Sequence, residues 1–159
     1  LVAAALGCAA QSDPGKPAPG KPAGTATPYV LIDEPAGAKS VAEVRRTAKD
    51  NDEVVAVGRV GGSTDPFVEG AAAFTLVDAS LKPCSDGCPT PWDYCCDAPA
   101  TVAANSAMVQ VVDADGRLVA TGAKNLLGVK ELSEVVVRGK AKRDGQGNLT
   151  ILASGVYRR

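Results

Sequence analysis

Glu53-Val-Val-Ala-Val-Gly-Arg-Val60 is echoed 81 positions later by Glu134-Val-Val-Val-Arg-Gly-Lys-Ala141. Each begins with glutamate and two valines, and each ends with glycine, a basic residue and an apolar one. Runs of β-branched residues pack well on a pleated surface, so both segments predict strands. A glycine inside such a run marks a bend or a close approach of backbone. Working outward, Ala73-Phe-Thr-Leu-Val77 and Ala107-Met-Val-Gln-Val-Val112 supply two strands between the echoes, and Leu149-Thr-Ile-Leu-Ala-Ser-Gly-Val156 supplies one after them. Asp113-Ala-Asp-Gly116 reads as a turn at a strand end, and Asp144-Gly-Gln-Gly-Asn148 as a connection of hairpin length. Ser40 and Glu43 have the spacing of a capping box, which opens a short helix that Asp50-Asn-Asp52 ends. Leu126 to Ser133 is expected to form a second short helix.

The resulting order is three strands, a short helix and two strands, with glycine kinks in the first and fourth strands. Over Glu53 to Arg159 this resembles the OB-fold, a five-stranded Greek-key barrel. The resemblance implies a mainly β domain, and the sequence places a Cys-rich loop between its strands 2 and 3. It also implies a ligand surface on the face of those two strands, with the loop over it. In the fourth strand, alternation puts Val135, Val137, Gly139 and Ala141 toward the core, and Val136, Arg138, Lys140 and Lys142 on the other face. Arg138, Lys140 and Lys142, with Arg143 adjacent and Arg59 at the matching place in strand one, form a basic stripe. It reads as a solvated, edge-protecting exterior, or alternatively as a groove for nucleic acid or another anionic polymer.

Composition excludes more than it selects. Lys and Arg total 17 against 18 for Asp and Glu, so no global basic field draws the chain to nucleic acid. The chain has no histidine, which removes Ser-His and Cys-His catalysis and every His-containing zinc site. Six aromatic residues are too few for an extended base-stacking platform. Gly58 with Gly61-Gly62 lacks the spacing of a phosphate-binding loop. Asp113, Asp115 and Gly116 match only part of a calcium loop. No catalytic residue is assigned, and an enzyme is not expected.

The amino end carries an address. Residues 1–7 read as a truncated signal peptide, and Ala5-Leu6-Gly7-Cys8 resembles the lipobox of bacterial lipoproteins. That resemblance implies a lipid on Cys8, cleavage before it, and a place in the bacterial cell envelope facing the periplasm or exterior. Residues 8–28 contain Pro14-Gly-Lys-Pro-Ala18 and Pro19-Gly-Lys-Pro-Ala23, a unit repeated in tandem. Proline and glycine without large apolar side chains predict a disordered tether. At about 3.1 Å per residue, roughly twenty residues reach about 60 Å from a membrane. Residues 29–159 are then the OB-like domain.

Chemistry concentrates in Cys84-Ser-Asp-Gly-Cys88-Pro-Thr-Pro-Trp92-Asp-Tyr94-Cys95-Cys96-Asp97, where four of the five cysteines fall within thirteen positions. An exported protein folds where thiols oxidise, so the leading expectation is two disulfides joining Cys84 and Cys88 to Cys95 and Cys96, because linking the neighbours Cys95 and Cys96 would strain the ring. No cofactor is needed on that reading. The alternative is a thiolate metal site, with Zn(II) as first candidate and Asp86, Asp93 or Asp97 as additional ligands. A thiol-disulfide oxidoreductase lacks its usual C-x-x-C, and heme attachment lacks its Cys-x-x-Cys-His. Trp92, Tyr94, Asp93 and Asp97 are the candidate ligand-binding residues of the loop. The functional expectation is a membrane-anchored, non-catalytic binding or structural module stapled by disulfides, with an envelope protein or a small ligand as partner and no nucleic acid. A metal-binding or redox accessory role and an anionic-polymer role are the alternatives.

Overall fold

A computed structural model describes residues 27–85 and 87–159. The expected lipid site at Cys8, the tether up to residue 26 and Asp86 lie outside the described residues. The elements in order are β1 (Lys39–Ser40), α1 (Val41–Thr47), β2 (Glu53–Val60), β3 (Ala73–Val77), a 3-10 turn (Pro91–Asp93), α2 (Pro99–Ala104), β4 (Ser106–Val111), α3 (Ala123–Leu127), β5 (Glu134–Arg143) and β6 (Leu149–Arg158). The five long strands close on themselves. β2 pairs antiparallel with β3 and β5, β3 with β4, and β5 with β6, while β4 and β6 run parallel. This is the mixed five-stranded OB-like barrel that the paired valine segments predict. The short β1 lies parallel to the start of β2.

The two glycine kinks have different causes. At Gly139 the β5–β6 register shifts, with Arg138 opposite Gly155 and Gly139 opposite Ala153, so Ser154 is the extra residue of a bulge. A Cβ at Gly139 would overlap the Leu152 carbonyl. At Gly58 no register shift occurs; a Cβ there would sit 2.5 Å from the Val77 carbonyl oxygen and 2.9 Å from Val41 Cγ2. The interior is built from small and branched side chains, including Ala56, Val60, Phe74, Leu76, Val109, Val111, Val137 and Ile151, with Val41 and Val44 of α1 packed into it. β5 alternates as expected from Val137 to Lys142, but Val136 is fully buried as well.

Local signals account for most of the helices. Ser40 Oγ accepts the Glu43 N–H at 3.2 Å and starts α1. The reciprocal half of the capping box is replaced by a salt bridge from Glu43 to Lys39 at 3.1 Å. The second short helix falls earlier than the sequence reading, at Ala123–Leu127 rather than Leu126 to Ser133. Gly128 takes the left-handed conformation at φ 64° and ends α3, and the following residues form turns into β5. α2 adds a third short helix, opened by Pro99 where a missing N–H is harmless. The Asp113 turn is present: its Oδ1 accepts the Asp115 and Arg117 N–H groups, each at 2.9 Å. Among the described residues, no helix is long and apolar enough to cross a membrane.

Candidate metal centre

The connection between β3 and β4 carries the cysteines and is anchored to the barrel at several points. Cys84 N–H donates to the Pro91 carbonyl at 3.0 Å, which closes the loop on itself. Gly62 N–H donates to the Trp92 carbonyl at 2.7 Å, and Trp92 Nε1 to the Thr64 carbonyl at 3.0 Å. The Arg59 guanidinium donates to the carbonyls of Ala79 and Leu81 at 3.4 and 3.3 Å. Beneath these bonds lies a small apolar cluster of Val77, Tyr94 and Val102, flanked by Leu81.

Tyr94 sets the loop's shape. It adopts the left-handed conformation, with φ 56° and ψ 35°, after the 3-10 turn. That costs a non-glycine residue roughly 1–2 kcal/mol, which full burial of the ring offsets. Tyr94, a candidate ligand-binding residue of the loop, is instead its internal post, with the ring fully buried, and Trp92 beside it is half-buried. Burial pushes the Tyr94 phenol upward, partly opposed by the nearby Arg59 guanidinium. Gly61 makes room for this arrangement, because a Cβ there would lie 2.5 Å from the Trp92 carbonyl oxygen and 3.0 Å from Tyr94 Cε2. The glycine pair had no role in the sequence reading. It receives the loop, and only tertiary proximity reveals this.

The reversal at Tyr94 carries Cys95 back toward the first two cysteines. Cys95 Sγ lies 3.5 Å from Cys84 Sγ and 3.8 Å from Cys88 Sγ. Asp93 Oδ1 is 4.0 Å from Cys84 Sγ, and one donor atom from each of Cys84, Cys88, Asp93 and Cys95 falls within 4.8 Å of every other. Asp93 is held on both oxygens: Oδ1 accepts the Cys95 N–H at 2.9 Å, and Oδ2 accepts the Thr90 hydroxyl at 2.8 Å. With the Thr90 bond the larger influence, these donors hold its carboxyl below the usual carboxylate range. The Cys96 backbone N–H holds the Cys84 thiol below the ordinary value despite the opposing effect of burial. Cys95 is pushed up, chiefly by the Cys84 sulfur and then by Asp93, and Cys96 is pushed up by Cys84.

The expected disulfides are not formed, and Cys84, Cys88, Cys95 and Cys96 are all free thiols. The physical reason is the shared position of Cys95. Two bridges would sort four sulfurs into two separate pairs, whereas here one sulfur stands near two others. Sulfurs bound at about 2.3 Å to one tetrahedral ion are separated by about 3.8 Å, and both short separations are close to that value. The Cys/Asp cluster can hold a metal ion. Asp97 lies beside the cluster but outside the four-donor group.

The basic stripe is divided among separate tasks. Lys140 pairs with Glu53 at 3.7 Å across β2 and β5. Arg143 turns inward, donating to the Ala48 carbonyl at 3.0 Å and also to the Arg45 carbonyl at the end of α1. Arg138 and Lys142 are exposed. Arg59 stands opposite Glu134, at the far end of the strand pair from Lys140 and Lys142, and it tethers the cysteine loop. The five residues do not form one continuous patch.

Fold and site together define a small OB-like barrel carrying a thiol and carboxylate cluster on the connection between its second and third barrel strands. No family model and no curated protein matches the chain. Among solved structures it is similar to the hypothetical protein ygiW from E. coli, with 15% identity, 79% of this chain and 94% of that chain covered, and a TM-score of 0.41. It is also similar to a chain assigned as an aspartyl-tRNA synthetase from Leishmania major Friedlin. There the identity is 12%, the coverage 84% of this chain and 23% of that one, and the TM-score 0.43.

Proposed function

We propose that this chain is a non-catalytic metal-binding module of the bacterial cell envelope, anchored through lipid on Cys8, with Zn(II) held by Cys84, Cys88, Cys95 and Asp93. One observation carries the metal reading: three sulfurs and a carboxylate oxygen lie within 4.8 Å of one another, with sulfur separations of 3.5 and 3.8 Å. Zinc suits the donor set because it accepts thiolate and carboxylate together in tetrahedral geometry without a demand from its d-electrons. With no histidine in the chain, sulfur and carboxylate are the strong donors on offer. Four protein donors leave a tetrahedral zinc no position for a reacting water, which favours a binding role over hydrolysis. The ion would fasten the long β3–β4 connection across its own base. The anchor and tether rest on Ala5-Leu6-Gly7-Cys8 and the Pro-Gly-Lys repeat.

Zinc titration of the reduced protein tests the metal reading. One equivalent per chain is expected, and cobalt substituted for zinc should show thiolate charge-transfer absorption. Protein isolated under non-reducing conditions with all four loop thiols oxidised and no metal would overturn it in favour of disulfides. For the anchor, Cys8→Ser should move the protein from the membrane to the soluble fraction, and unchanged partition would remove the lipid from the account.

A further inference from the structure

Thr90 and Asp93 are joined twice. The Asp93 N–H donates to the Thr90 carbonyl at 3.0 Å, and the Thr90 hydroxyl donates to Asp93 Oδ2 at 2.8 Å. The other oxygen, Oδ1, accepts the Cys95 N–H at 2.9 Å and lies 4.0 Å from Cys84 Sγ. The two carboxylate oxygens are therefore unequal. Oδ1 stands with the sulfurs and keeps a second lone pair for an ion, whereas Oδ2 is committed to the Thr90 hydroxyl. Turning the carboxylate to present both oxygens to one ion would break the Thr90 bond, which is partly buried, so solvent does not fully replace it. Closure of the loop does not need that hydroxyl. The backbone bonds from Cys84 N–H to the Pro91 carbonyl and from Asp93 N–H to the Thr90 carbonyl, each 3.0 Å, close it already.

Resting on the zinc reading above, we propose that Thr90 is a positioning residue that sets the metal preference of the cluster: by holding Oδ2 it makes Asp93 a one-oxygen ligand through Oδ1, which matches the site to a small four-coordinate thiophilic ion, Zn(II), over a larger one, Cd(II). Three sulfurs and one oxygen make four donors, the number a structural zinc site takes. A carboxylate free to supply both oxygens would add a fifth donor. Two-oxygen carboxylate ligation belongs to the wider and more flexible shells of larger cations. Thr90 touches no ion itself. It acts through Asp93, as the hydrogen-bonded partners of ligating carboxylates do.

The test uses the full-length reduced chain, with Zn(II) and Cd(II) affinities measured separately by chelator competition and Co(II) as the spectroscopic probe. Thr90→Val removes the hydroxyl and keeps the shape. It should lower zinc affinity about tenfold, the lower end of what outer partners of a metal ligand contribute. Cadmium affinity should stay near the wild-type value, so the preference moves toward cadmium by the same factor. The Co(II) d–d bands should weaken, because five-coordinate Co(II) absorbs less than tetrahedral Co(II). Thr90→Ser, which keeps the hydroxyl, should restore both the zinc preference and the band intensity. Wild-type zinc affinity and band intensity in Thr90→Val would overturn the positioning role and leave the zinc site standing. Equal losses for zinc and cadmium with unchanged cobalt bands would show that Thr90 supports the loop alone, and would also overturn it. Wild-type protein that binds no zinc defeats the zinc reading and the role of Thr90 together. Circular dichroism of metal-free Thr90→Val confirms that the barrel is intact.

Discussion

The barrel and the loop that crosses its side are held by different forces. In the barrel, backbone groups pair around a closed ring of strands, and the interior is a continuous set of Val, Ala, Leu and Ile side chains. In the connection that carries the loop, buried Tyr94 and Val102 packed on Val77 of β3, and a few directional hydrogen bonds to Gly62, Thr64 and Arg59, fix a segment made of turns and the short α2. Apolar burial contributes about 25 cal/mol per Å2 wherever it occurs, and in the barrel it is supplied by the continuous core cluster. The loop gathers thiols and a carboxylate at its centre, and on the proposed zinc reading a cation is their partner. Metal should therefore control the order of the loop while leaving the barrel alone, whereas damage to the barrel should destroy both.

The largest effect is expected from the barrel side. Phe74 is fully buried in β3 and belongs to the barrel's core cluster. Phe74→Ala should cost about 3–5 kcal/mol, measured by denaturant unfolding, and should abolish zinc binding in proportion to the unfolded fraction. Retention of full zinc affinity by an unfolded barrel would show that the loop is an independent metal-folded unit. The converse experiment is Cys88→Ser. Even outer-shell partners of a metal are worth about 10–100-fold in affinity, so loss of a direct thiolate should reduce zinc affinity by more than about 100-fold. The unfolding midpoint of the metal-free protein should stay where it was, since Cys88 contributes little to either apolar cluster.

The contrast also explains what the sequence could convey. Alternation in Glu134 to Arg143 and the Val-Val segments specify which residues face inward, and inward-facing valines can be satisfied only by a closed or covered sheet; the barrel was legible for that reason. The loop was legible as a cluster of donors but not as a geometry. Its geometry depends on Tyr94 adopting a left-handed conformation that tyrosine rarely takes, and on Gly61 admitting the Trp92 carbonyl at a distance closed to any other residue. Neither fact has a local sequence signature. Gly128, by contrast, is an ordinary helix-ending glycine inside Leu126 to Ser133, and it marks the end of α3 at Leu127.

Gly61→Ala separates docking from folding. The added methyl must displace the Trp92 carbonyl or the Tyr94 ring, and overpacking of this kind costs about 1–3 kcal/mol. The strain falls where the loop meets the barrel, so zinc affinity should drop while the hydrogen-exchange protection of β4, β5 and β6 is preserved. A uniform loss of protection across all strands would show that loop and barrel are a single cooperative unit.

The smallest effect belongs to the seam between the two regions. Asp78 directly follows β3, is buried, and accepts the Ala42 N–H of α1 at 2.7 Å and the Ser80 N–H at 2.9 Å, at the start of the loop. Burial pushes its carboxyl up, but the Ala42 and Ser80 N–H groups outweigh it and hold the value below the ordinary carboxylate one. A carboxylate depressed in the folded state stabilises the protein fully above its unfolded value, near 3.9, and loses that contribution as pH falls through the folded value. Asp78→Asn keeps the shape and one acceptor oxygen but loses the charge, so it should cost about 1 kcal/mol near neutral pH. The difference between wild type and variant should shrink on acidification below about pH 4. A difference that stayed constant from pH 7 to pH 3 would mean that Asp78 acts through packing alone, and the hydrogen bonds that join α1 to the loop would then carry no charge-dependent share of the stability.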